Sequence, residues 1–440
     1  MTLASCKVRR DELFNKMADN SVALLKAAPI FHRNSDTEFP FRQDSHFYYL
    51  TAFNETEAIA LLSKKAGKNT FILFCQEKDP LIERWTGKRV GQKDACDIYG
   101  ADEAYPVSEL DNKMPGFLAN ANAIYYLTGI DTHFDNQIFS WVERLRKKVR
   151  QGLNAPHQFI DLRQFIDEQR LIKSSDELKY MQKAASISAK AHSKAMSQCK
   201  IGMYEYQLEA VLLYEFYAQG SRSPAYPCIV ATGNNACTLH YTQNNAVIKE
   251  GDLVLIDAGA EFEGYAADIT RTFPANGKFT ASQQAIYELV LATQEAAILQ
   301  AKPGMTWDSM QNAILKVMVQ GLVDLKILQG QVQTLIEEKA YLPFYMHNSG
   351  HWLGMDVHDV GEYKIAGIWR KLSSGMVFTI EPGIYISREN TTVDEKWRGI
   401  GVRIEDDIVI TDSGCDILTK ELVKTPQEIE KLMQKRASDV

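Results

Sequence analysis

The stretch LVLIDAGAEFEGYAADITRTF, residues 253–273, places two acidic side chains inside apolar strand patterns. Its two apolar runs flank a polar centre containing Gly264, which favours a hairpin with its midpoint between residues 262 and 263. Asp257 and Asp268 are equidistant from that midpoint, so they are predicted to face each other at roughly 4.5–5.5 Å between Cβ atoms. Two like charges in this arrangement destabilise a strand pair, which predicts a positive charge between them.

Acidic residues interrupt apolar strand patterns again near the C-terminus. Residues 377–381 end in Glu381, and residues 402–410 contain Glu405. Glu and Asp are depleted in strands and are rarely fully buried without a partner. Four such carboxylates on one sheet face would either raise their own pKa values or bind cations. Divalent metal is the better explanation, because a charge of about −4 balances two divalent ions.

Three of the nine histidines fall within HNSGHWLGMDVH, residues 347–358. The Asn-Ser-Gly between His347 and His351 favours a loop or strand over a helix, and the His-Glu-x-x-His pattern of zinc peptidases is missing. One neutral imidazole added to four carboxylates makes a ligand set of mostly hard oxygen atoms. Such a set suits Mn²⁺ or Mg²⁺ better than a metal that prefers thiolates.

The length of 440 residues and the order of elements predict two domains, 1–172 and 173–440. In the second domain a capping box of Ser174 and Glu177 opens a long amphipathic helix. Helices are followed by antiparallel strands, and the same order then repeats, which predicts an α+β domain with duplicated halves. The strands of this domain are predicted at 228–231, 253–258, 267–273, 376–380 and 402–410.

The first domain is predicted to be a smaller α/β domain. Short apolar runs alternate there with polar helical patterns. Residues 152–172, which begin with a stretch rich in Gly, Asn and Pro, are predicted to be a connection to the second domain. A helix is predicted at 132–150, and strands at 21–31, 47–53, 58–62, 70–75 and 123–127.

Composition excludes several classes of protein. With 49 Lys+Arg against 56 Asp+Glu and a net charge of −7, the chain has no global basic field that would attract nucleic acid. No apolar run reaches the roughly 18 residues that a membrane span needs, and the N-terminus lacks the apolar segment of a secretory signal. The seven cysteines form no Cys-x-x-Cys pair. We therefore expect a cytoplasmic protein with reduced thiols that binds neither nucleic acid nor membrane.

Four motifs, LIDAGAEFEGYAADITRTFP, HNSGHWLGMDVHD, FTIEPGIYI and GIGVRIEDDIVI, together resemble the Xaa-Pro aminopeptidases (aminopeptidase P) of the pita-bread metallopeptidases. In the first domain, SDTEFPFRQDSHFYYLTAFNE resembles the N-terminal domain of the same proteins and of prolidases and creatinases. The resemblance implies a C-terminal pita-bread fold that binds two divalent metal ions per subunit, usually Mn²⁺. The metal ligands that it implies are Asp257, Asp268, His351, Glu381 and Glu405. Of these, Asp268 and Glu405 would bridge both ions.

The same resemblance assigns roles beyond the metal ligands. It implies that Glu381, His240 and His358 are catalytic: Glu381 would move a proton, and the two histidines would contact the scissile region. Relatives form dimers or tetramers, which implies a homo-oligomer. Five further residues are implied to bind substrate. His347, Tyr385 and Arg403 would surround a proline pocket. Trp85 and Arg150 would reach a substrate groove, either of the same subunit or of a neighbouring one.

The implied reaction releases the N-terminal residue from Xaa-Pro-Yaa peptides. Two metal ions acidify a water held between them, so that a bridging hydroxide attacks the carbonyl before proline. Prolidase, which cleaves Xaa-Pro dipeptides with the same fold and metals, is the nearest alternative, and Arg403 would then bind the free proline carboxylate. Methionine aminopeptidase fits less well because it does not need the first domain. A non-catalytic peptide-binding module is the alternative from another class, and the intact ligand set argues against it.

Overall fold

The chain forms two compact units in a computed structural model that describes residues 1–434. The units are Met1–Gln169 and Arg170–Val440, and the predicted boundary after residue 172 lies next to this division. Among residues 1–434 no helix combines the length and apolar character needed to cross a lipid bilayer. Each unit is described below by itself.

The first unit is built around one mixed β-sheet. Its strands are β1 (Ser21–Lys26), β2 (His32–Asn34), β3 (Thr37–Glu38), β4 (Ile59–Lys65), β5 (Lys68–Cys75), β6 (Glu103–Pro106), β7 (Ala123–Tyr126) and β8 (Gln158–Asp161). Six of them form the sheet in the order β6-β5-β4-β1-β7-β8, and β2 pairs with β3 separately. The helices are α1 (Leu3–Lys16), α2 (Ser45–Thr51), α3 (Glu83–Thr86), α4 (Gly91–Asp97), α5 (Leu110–Leu118), α6 (Thr132–Arg146) and α7 (Arg163–Leu171), the last of which crosses the division.

The prediction of a strand at residues 47–53 is wrong, because this stretch forms most of helix α2. The side chain of Asp44 accepts a hydrogen bond from Phe47 N at 2.8 Å and so caps the helix N-terminus. Phe47 and Leu50, three positions apart, are both fully buried. The aromatic residues resemble a strand in composition, but the capping aspartate and the helical spacing decide the outcome.

The remaining differences in the first unit concern where elements begin and end. Residues 152–172, predicted to be a connection, contain both β8 and α7. The strand predicted at 21–31 ends at Lys26, and the helix predicted at 132–150 ends at Arg146. The α/β character predicted for this domain is confirmed.

The second unit contains six helices and thirteen strands within residues 170–434. Its helices are α8 (Ser175–Gln198), α9 (Glu205–Ala218), α10 (Ala281–Ile298), α11 (Trp307–Asp324), α12 (Val332–Glu337) and α13 (Pro426–Gln434). Its strands are β9 (Ser223–Pro224), β10 (Ile229–Thr232), β11 (Leu253–Asp257), β12 (Ala260–Phe262), β13 (Tyr265–Ala266), β14 (Thr270–Pro274), β15 (Lys364–Ile365), β16 (Ile368–Trp369), β17 (Val377–Ile380), β18 (Gly383–Ile386), β19 (Ile400–Arg403), β20 (Asp406–Ile410) and β21 (Cys415–Ile417).

The duplicated order predicted for the second unit is confirmed. Helices α8 and α9 precede the antiparallel sheet β10-β11-β14, and helices α10 to α12 precede the antiparallel sheet β17-β20-β21. The predicted capping box is present, since Ser174 and Glu177 bond reciprocally at the start of α8. Apolar side chains from helices and sheets of both halves form one continuous core. Polar side chains lie together outside this core, at the ends of the strands.

The single strand predicted at 402–410 is wrong, because the chain leaves one sheet and enters another at this point. Strand β19 pairs with β18, whereas β20 pairs with β17. Between them, Ile404 N donates to Pro382 O and Glu405 N donates to Thr270 O. These bonds satisfy the buried backbone outside either ladder, and Glu405 lies between the end of β19 and the start of β20.

Candidate metal centre

The hairpin that carries Asp257 and Asp268 turns one position later than predicted. Glu263 (φ 53°) and Gly264 (φ 81°) both have left-handed backbone, the conformation of a two-residue type I′ turn. Asp257 consequently pairs with Thr270, so the predicted direct pairing of the two aspartates is wrong. Thr270, the observed partner of Asp257, lies two residues from Asp268, the predicted partner. Side chains two residues apart point to the same face of a sheet, so both aspartates still belong to one face.

Tyr226 joins the two aspartates. Its hydroxyl oxygen lies 2.6 Å from Asp257 Oδ1 and 2.5 Å from Asp268 Oδ1. A phenol carries one proton, so it can donate to one of these oxygens at a time. No sequence pattern marked Tyr226, which lies one residue before Pro227 on the segment leading into β10.

Five predicted ligands come together at the strand ends. Asp268, His351 and Glu405 each offer one ligand atom, and these atoms all lie within 4.8 Å of one another. His351 Nε2 lies 3.3 Å from Asp268 Oδ2 and 3.7 Å from Glu381 Oε1. Asp257 joins them through the shared tyrosine hydroxyl. We call these five residues, Asp257, Asp268, His351, Glu381 and Glu405, the carboxylate cluster.

Neighbouring side chains fix the orientation of the cluster. Thr270 Oγ1 donates to Glu405 Oε2 at 2.7 Å, and Arg403 Nη2 donates to Asp257 Oδ2 at 2.5 Å. Arg403 also donates to Tyr385 Oη and to Thr270 Oγ1, both at 3.0 Å. Arg403 is buried, and it forms part of the wall of the cavity described below. Thr270, like Tyr226, carried no signal in the sequence that would have predicted its contact.

The protonation of the cluster reflects a shortage of positive charge. Burial raises the pKa of Asp257, raises that of Glu381 to about 7 and raises that of Glu405 well above its ordinary value. Burial acts in the same direction on Asp268, but the bond and charge of His351, together with Tyr226 and Arg403, outweigh it and lower the pKa of that carboxyl. Burial opposes the charge on His351, and Asp268 nevertheless raises the pKa of the imidazole to about 9.

These pKa directions fit a site for divalent cations. A raised carboxyl pKa means that the protein around it stabilises the ionised form less well than water does. Several such acids on one wall require either bound protons or bound cations to offset their charge. Four carboxylates and one imidazole supply the hard oxygen and nitrogen donors that Mn²⁺, Mg²⁺ or Zn²⁺ accept.

The cluster forms part of the wall of a cavity of about 670 Å³. This volume is in the usual range for small-ligand sites. Three predicted histidines, His240, His347 and His358, line the same cavity. Tyr385 is buried behind this wall, and it reaches the cavity through His347 Nε2, which lies 2.9 Å from its hydroxyl. The apolar part of the wall is formed by Pro227, Ile229, Leu239, Val357 and Tyr363.

Two predicted substrate-binding residues belong to the first unit. Trp85, in the short helix α3, is 90% exposed. Arg150 is exposed in the 3₁₀ turn Val149–Gln151. Arg144, in the same basic run, donates to Asp111 O. The roles of Trp85 and Arg150 in substrate binding stay predictions.

Comparison with known proteins identifies the class to which this fold and site belong. Residues 179–412 match the family model for metallopeptidase family M24, and residues 6–126 match the model for the aminopeptidase P N-terminal domain. The first match contains all five residues of the carboxylate cluster. The chain belongs to metallopeptidase family M24, and the resemblance predicted from its motifs is confirmed.

Individual relatives match over nearly the whole chain. The Xaa-Pro aminopeptidase of Escherichia coli K12 is 46% identical over 426 residues, covering 97% of this chain and 96% of the relative. The structure of Pseudomonas aeruginosa aminopeptidase PepP matches with a TM-score of 0.98 and 50% identity, covering 100% of this chain and 99% of that one. E. coli aminopeptidase P with the inhibitor Pro-Leu matches with a TM-score of 0.97 and 44% identity, covering 100% of both chains.

Proposed function

We propose that this protein is a metal-dependent exopeptidase that releases the N-terminal residue from peptides with proline at the second position. The observation that carries the proposal is the carboxylate cluster, which shares one cavity with His240, His347 and His358. The match to the aminopeptidase P N-terminal domain and the names of the relatives support the choice of substrate. The substrates are accordingly peptides that begin Xaa-Pro.

Two divalent metal ions, Mn²⁺ in this proposal, are the cofactors. Their ligands would be Asp257, Asp268, His351, Glu381 and Glu405. The fit rests on donor chemistry and on buried acids whose charge the surrounding protein leaves partly uncompensated. When bound, such ions supply Lewis acidity and a water whose pKa is lowered toward neutrality.

The chain's own residues would bind and orient the peptide. His240 and His358 are exposed to the cavity, so their imidazoles can donate hydrogen bonds to the carbonyl oxygen of the scissile bond. Glu381, which is partly buried at the end of β17, would hold and release the proton that the leaving nitrogen needs. Proline has no N–H for strand-like docking, so recognition would rely on shape. The apolar wall and the pair His347–Tyr385 provide that shape.

The prolidase alternative is disfavoured by the relatives, which are Xaa-Pro aminopeptidases. A dipeptidase must bind the free carboxylate of proline, and Arg403 was the cation predicted for that purpose. In the structure Arg403 lines the cavity, and its three guanidinium nitrogens also bond to Asp257, Tyr385 and Thr270, so its role in substrate binding stays a prediction. The inhibitor Pro-Leu bound to E. coli aminopeptidase P is a second argument for longer substrates, because Pro-Leu corresponds to the product of cleaving an Xaa-Pro-Leu tripeptide.

We extend the proposal to assembly and location. A homo-oligomer, dimer or tetramer, in the cytoplasm is proposed, with Trp85 and Arg150 contacting the substrate groove of a neighbouring subunit. The 90% exposure of Trp85 supports this contact, because a large exposed aromatic side chain is available for burial against another chain. Native mass, and activity of a Trp85→Ala variant on tripeptides, test this part of the proposal.

Hydrolysis of an Xaa-Pro-Yaa tripeptide and of the matching Xaa-Pro dipeptide, compared after loading with Mn²⁺, tests the function. We expect the tripeptide to be strongly preferred, and a clear preference for the dipeptide would contradict the proposal. Asp268→Asn should lose both bound metal and hydrolysis. A wild-type protein that binds peptide and metal without hydrolysis would favour the binding-module alternative.

A further inference from the structure

Glu205 is a fully buried carboxylate outside the carboxylate cluster. It is the first residue of α9 and is 0% exposed. Thr232 N at 2.7 Å and Asn235 Nδ2 at 3.1 Å donate to its Oε1. The Tyr241 hydroxyl and Ala246 N, both at 2.8 Å, donate to its Oε2. Within residues 1–434 no cationic side chain pairs with it, so these four donors alone offset the cost of burying its charge.

The four donors belong to one segment of the chain. Thr232 is the last residue of β10, and Ala246 lies at the far end of the loop that follows. Glu205 N also donates to Ala246 O at 3.0 Å. Glu205 therefore holds both ends of residues 233–245 and binds two points within them. We call residues 233–245 the His240 segment.

The His240 segment forms part of the cavity wall. Leu239, His240 and Thr242 line the cavity. Leu239 and Tyr241 also pack against a small apolar cluster that includes Tyr385. His240 lies between these two anchored side chains and is itself exposed. Its position is thus set by neighbours that pack inward, and one of them, Tyr241, is bonded to Glu205.

The same carboxylate connects the His240 segment to the strand that carries Asp257. Strand β10, whose last residue Thr232 donates to Glu205, pairs with β11 so that Ile229 lies opposite Asp257. Glu205 thereby fixes His240 and Asp257 relative to a common strand. This linkage passes through two hydrogen bonds and one strand pair, with no contribution from a bound ligand.

The chemistry of the four bonds requires a carboxylate. Two ionised oxygens offer about four acceptor positions, which is the number of donors present. A glutamine of the same shape would have one acceptor oxygen, and its NH₂ group would point at two further donors. The backbone N–H of Ala246 cannot reverse its role, so it would lose its partner. The position of Glu205 at a helix N-terminus additionally favours its negative charge.

We propose that Glu205 is a positioning residue for the reaction and acts through His240. It holds the His240 segment so that the imidazole of His240 stays at the cavity wall beside the carboxylate cluster. The inference rests on the proposed function, because the contact of His240 with the scissile region belongs to that proposal. Glu205 itself touches neither substrate nor metal.

Two variants and one control test the proposal. Glu205→Gln replaces two acceptor positions by a donor, and Tyr241→Phe removes one of the four bonds while keeping the ring that packs in the apolar cluster. Glu215→Gln removes the same charge further along α9, outside the His240 segment, and serves as the matched control. Bound metal, kcat and KM for an Xaa-Pro-Yaa peptide, and amide hydrogen exchange are measured for all three metal-loaded full-length proteins.

We expect Glu205→Gln to lower kcat about tenfold, the effect of one lost buried hydrogen bond, with KM and metal content close to wild type. Tyr241→Phe should lower kcat about threefold, and Glu215→Gln should change neither value. Exchange should rise in the His240 segment of both test variants. In a His240→Ala background Glu205→Gln should cause little further loss, because the two residues act on one step.

Failure of each part is distinguishable. Full activity in both Glu205→Gln and Tyr241→Phe, or a loss from Glu205→Gln that is undiminished in the His240→Ala background, would overturn the positioning role and leave the proposed function intact. If Glu205→Gln does not fold, Tyr241→Phe alone decides by the same criteria. A metal-loaded wild-type protein without Xaa-Pro-Yaa hydrolysis would overturn the proposed function, and the role of Glu205 in that reaction with it.

Discussion

Glu405 and Asp406 are adjacent in the chain and both buried, yet the protein treats their charges in opposite ways. Asp406 bonds to Arg271 Nη2 at 2.7 Å and to Lys424 Nζ at 2.9 Å. Although burial raises the pKa of Asp406, these two cations lower it to about 2. Glu405 accepts a bond from the neutral hydroxyl of Thr270, and burial raises its pKa well above the ordinary value.

The difference separates a structural acid from an acid suited to bind a metal. Asp406 carries its own compensation, so it fixes strand β20 against Arg271 and needs no ligand. Glu405 faces the other acids of the carboxylate cluster, and the charge of Arg403 is too little to offset burial and those acids, so a bound cation would supply the missing positive charge. Burial alone is therefore a poor indicator of a metal site. The useful indicator is a buried acid whose charge the protein does not balance.

Glu405→Gln should give the largest effect on function. The amide keeps the shape but loses a charged oxygen ligand, so we expect metal binding to weaken and kcat/KM on Xaa-Pro-Yaa peptides to fall by more than about a hundredfold. Metal analysis and steady-state kinetics on the purified variant provide the measurement. Retention of both bound metal and activity would remove Glu405 from the ligand set.

Asp406→Asn should instead damage stability. Removing one partner of a buried ion pair leaves Arg271 uncompensated, and we expect the free energy of unfolding to fall by about 3–5 kcal/mol. The folded fraction should still bind metal and hydrolyse peptide at close to the wild-type rate per bound metal. Denaturant unfolding of the metal-free proteins measures the first effect. An Asp406→Asn variant that is as stable as wild type but free of metal would show that Asp406 serves metal binding and not stability.

Metal-free protein should lose stability as the pH rises through the range in which Glu381 titrates. Burial raises the pKa of Glu381 from 4.5 to about 7, so between these values the folded state keeps a proton that the unfolded state has lost. The stability contributed by the protonated carboxyl is present below pH 4.5 and is lost as the pH rises toward 7. A metal must displace this proton, so its affinity should increase over the same interval.

Melting temperatures with a chelator and with Mn²⁺, recorded across this interval, check the sign. Without metal the melting temperature should fall with rising pH by at least about 2 °C, and the stabilisation by Mn²⁺ should grow. A metal-free protein whose stability rises with pH over the same interval would show that the cluster is already balanced by the protein.

The smallest expected effect is a gain in stability. In metal-free Glu405→Gln an uncompensated buried acid is replaced by a neutral side chain of the same shape, and we expect the free energy of unfolding at neutral pH to rise by about 1 kcal/mol. Asp406→Asn is the matched comparison, with a change in the opposite direction. Loss of stability in both variants would mean that Glu405 is also balanced within the protein.

The motifs predicted the family and, through the resemblance, the residues of the carboxylate cluster, and the order of helices and strands predicted the duplicated fold. The four carboxylates were recognisable on their own because acids inside apolar strands are chemically unusual. The register of the hairpin was predicted one position early, since Gly264 alone did not reveal that Glu263 also has left-handed backbone. Strand composition likewise misled at residues 47–53, where the cap from Asp44 favours a helix. Both errors therefore arose from the local chemistry of one turn and one helix cap.

Contacts between distant parts of the chain could not be predicted from spacing. The hydroxyl of Tyr226 reaches two aspartates that lie 31 and 42 residues further along the chain. Arg403 was predicted to bind substrate, and its pairing with Asp257, 146 residues away, became visible only when the sheets were assembled. Ordinary residue types at such separations leave no periodic pattern in a single sequence.

Titration of exhaustively chelated protein with Mn²⁺, with bound metal and Xaa-Pro-Yaa hydrolysis followed together, tests the central claim most directly. The account predicts saturable uptake of two ions per chain, with hydrolysis absent before metal is added and restored as the sites fill. Full hydrolysis after complete removal of metal, or a protein that takes up no Mn²⁺, would contradict it.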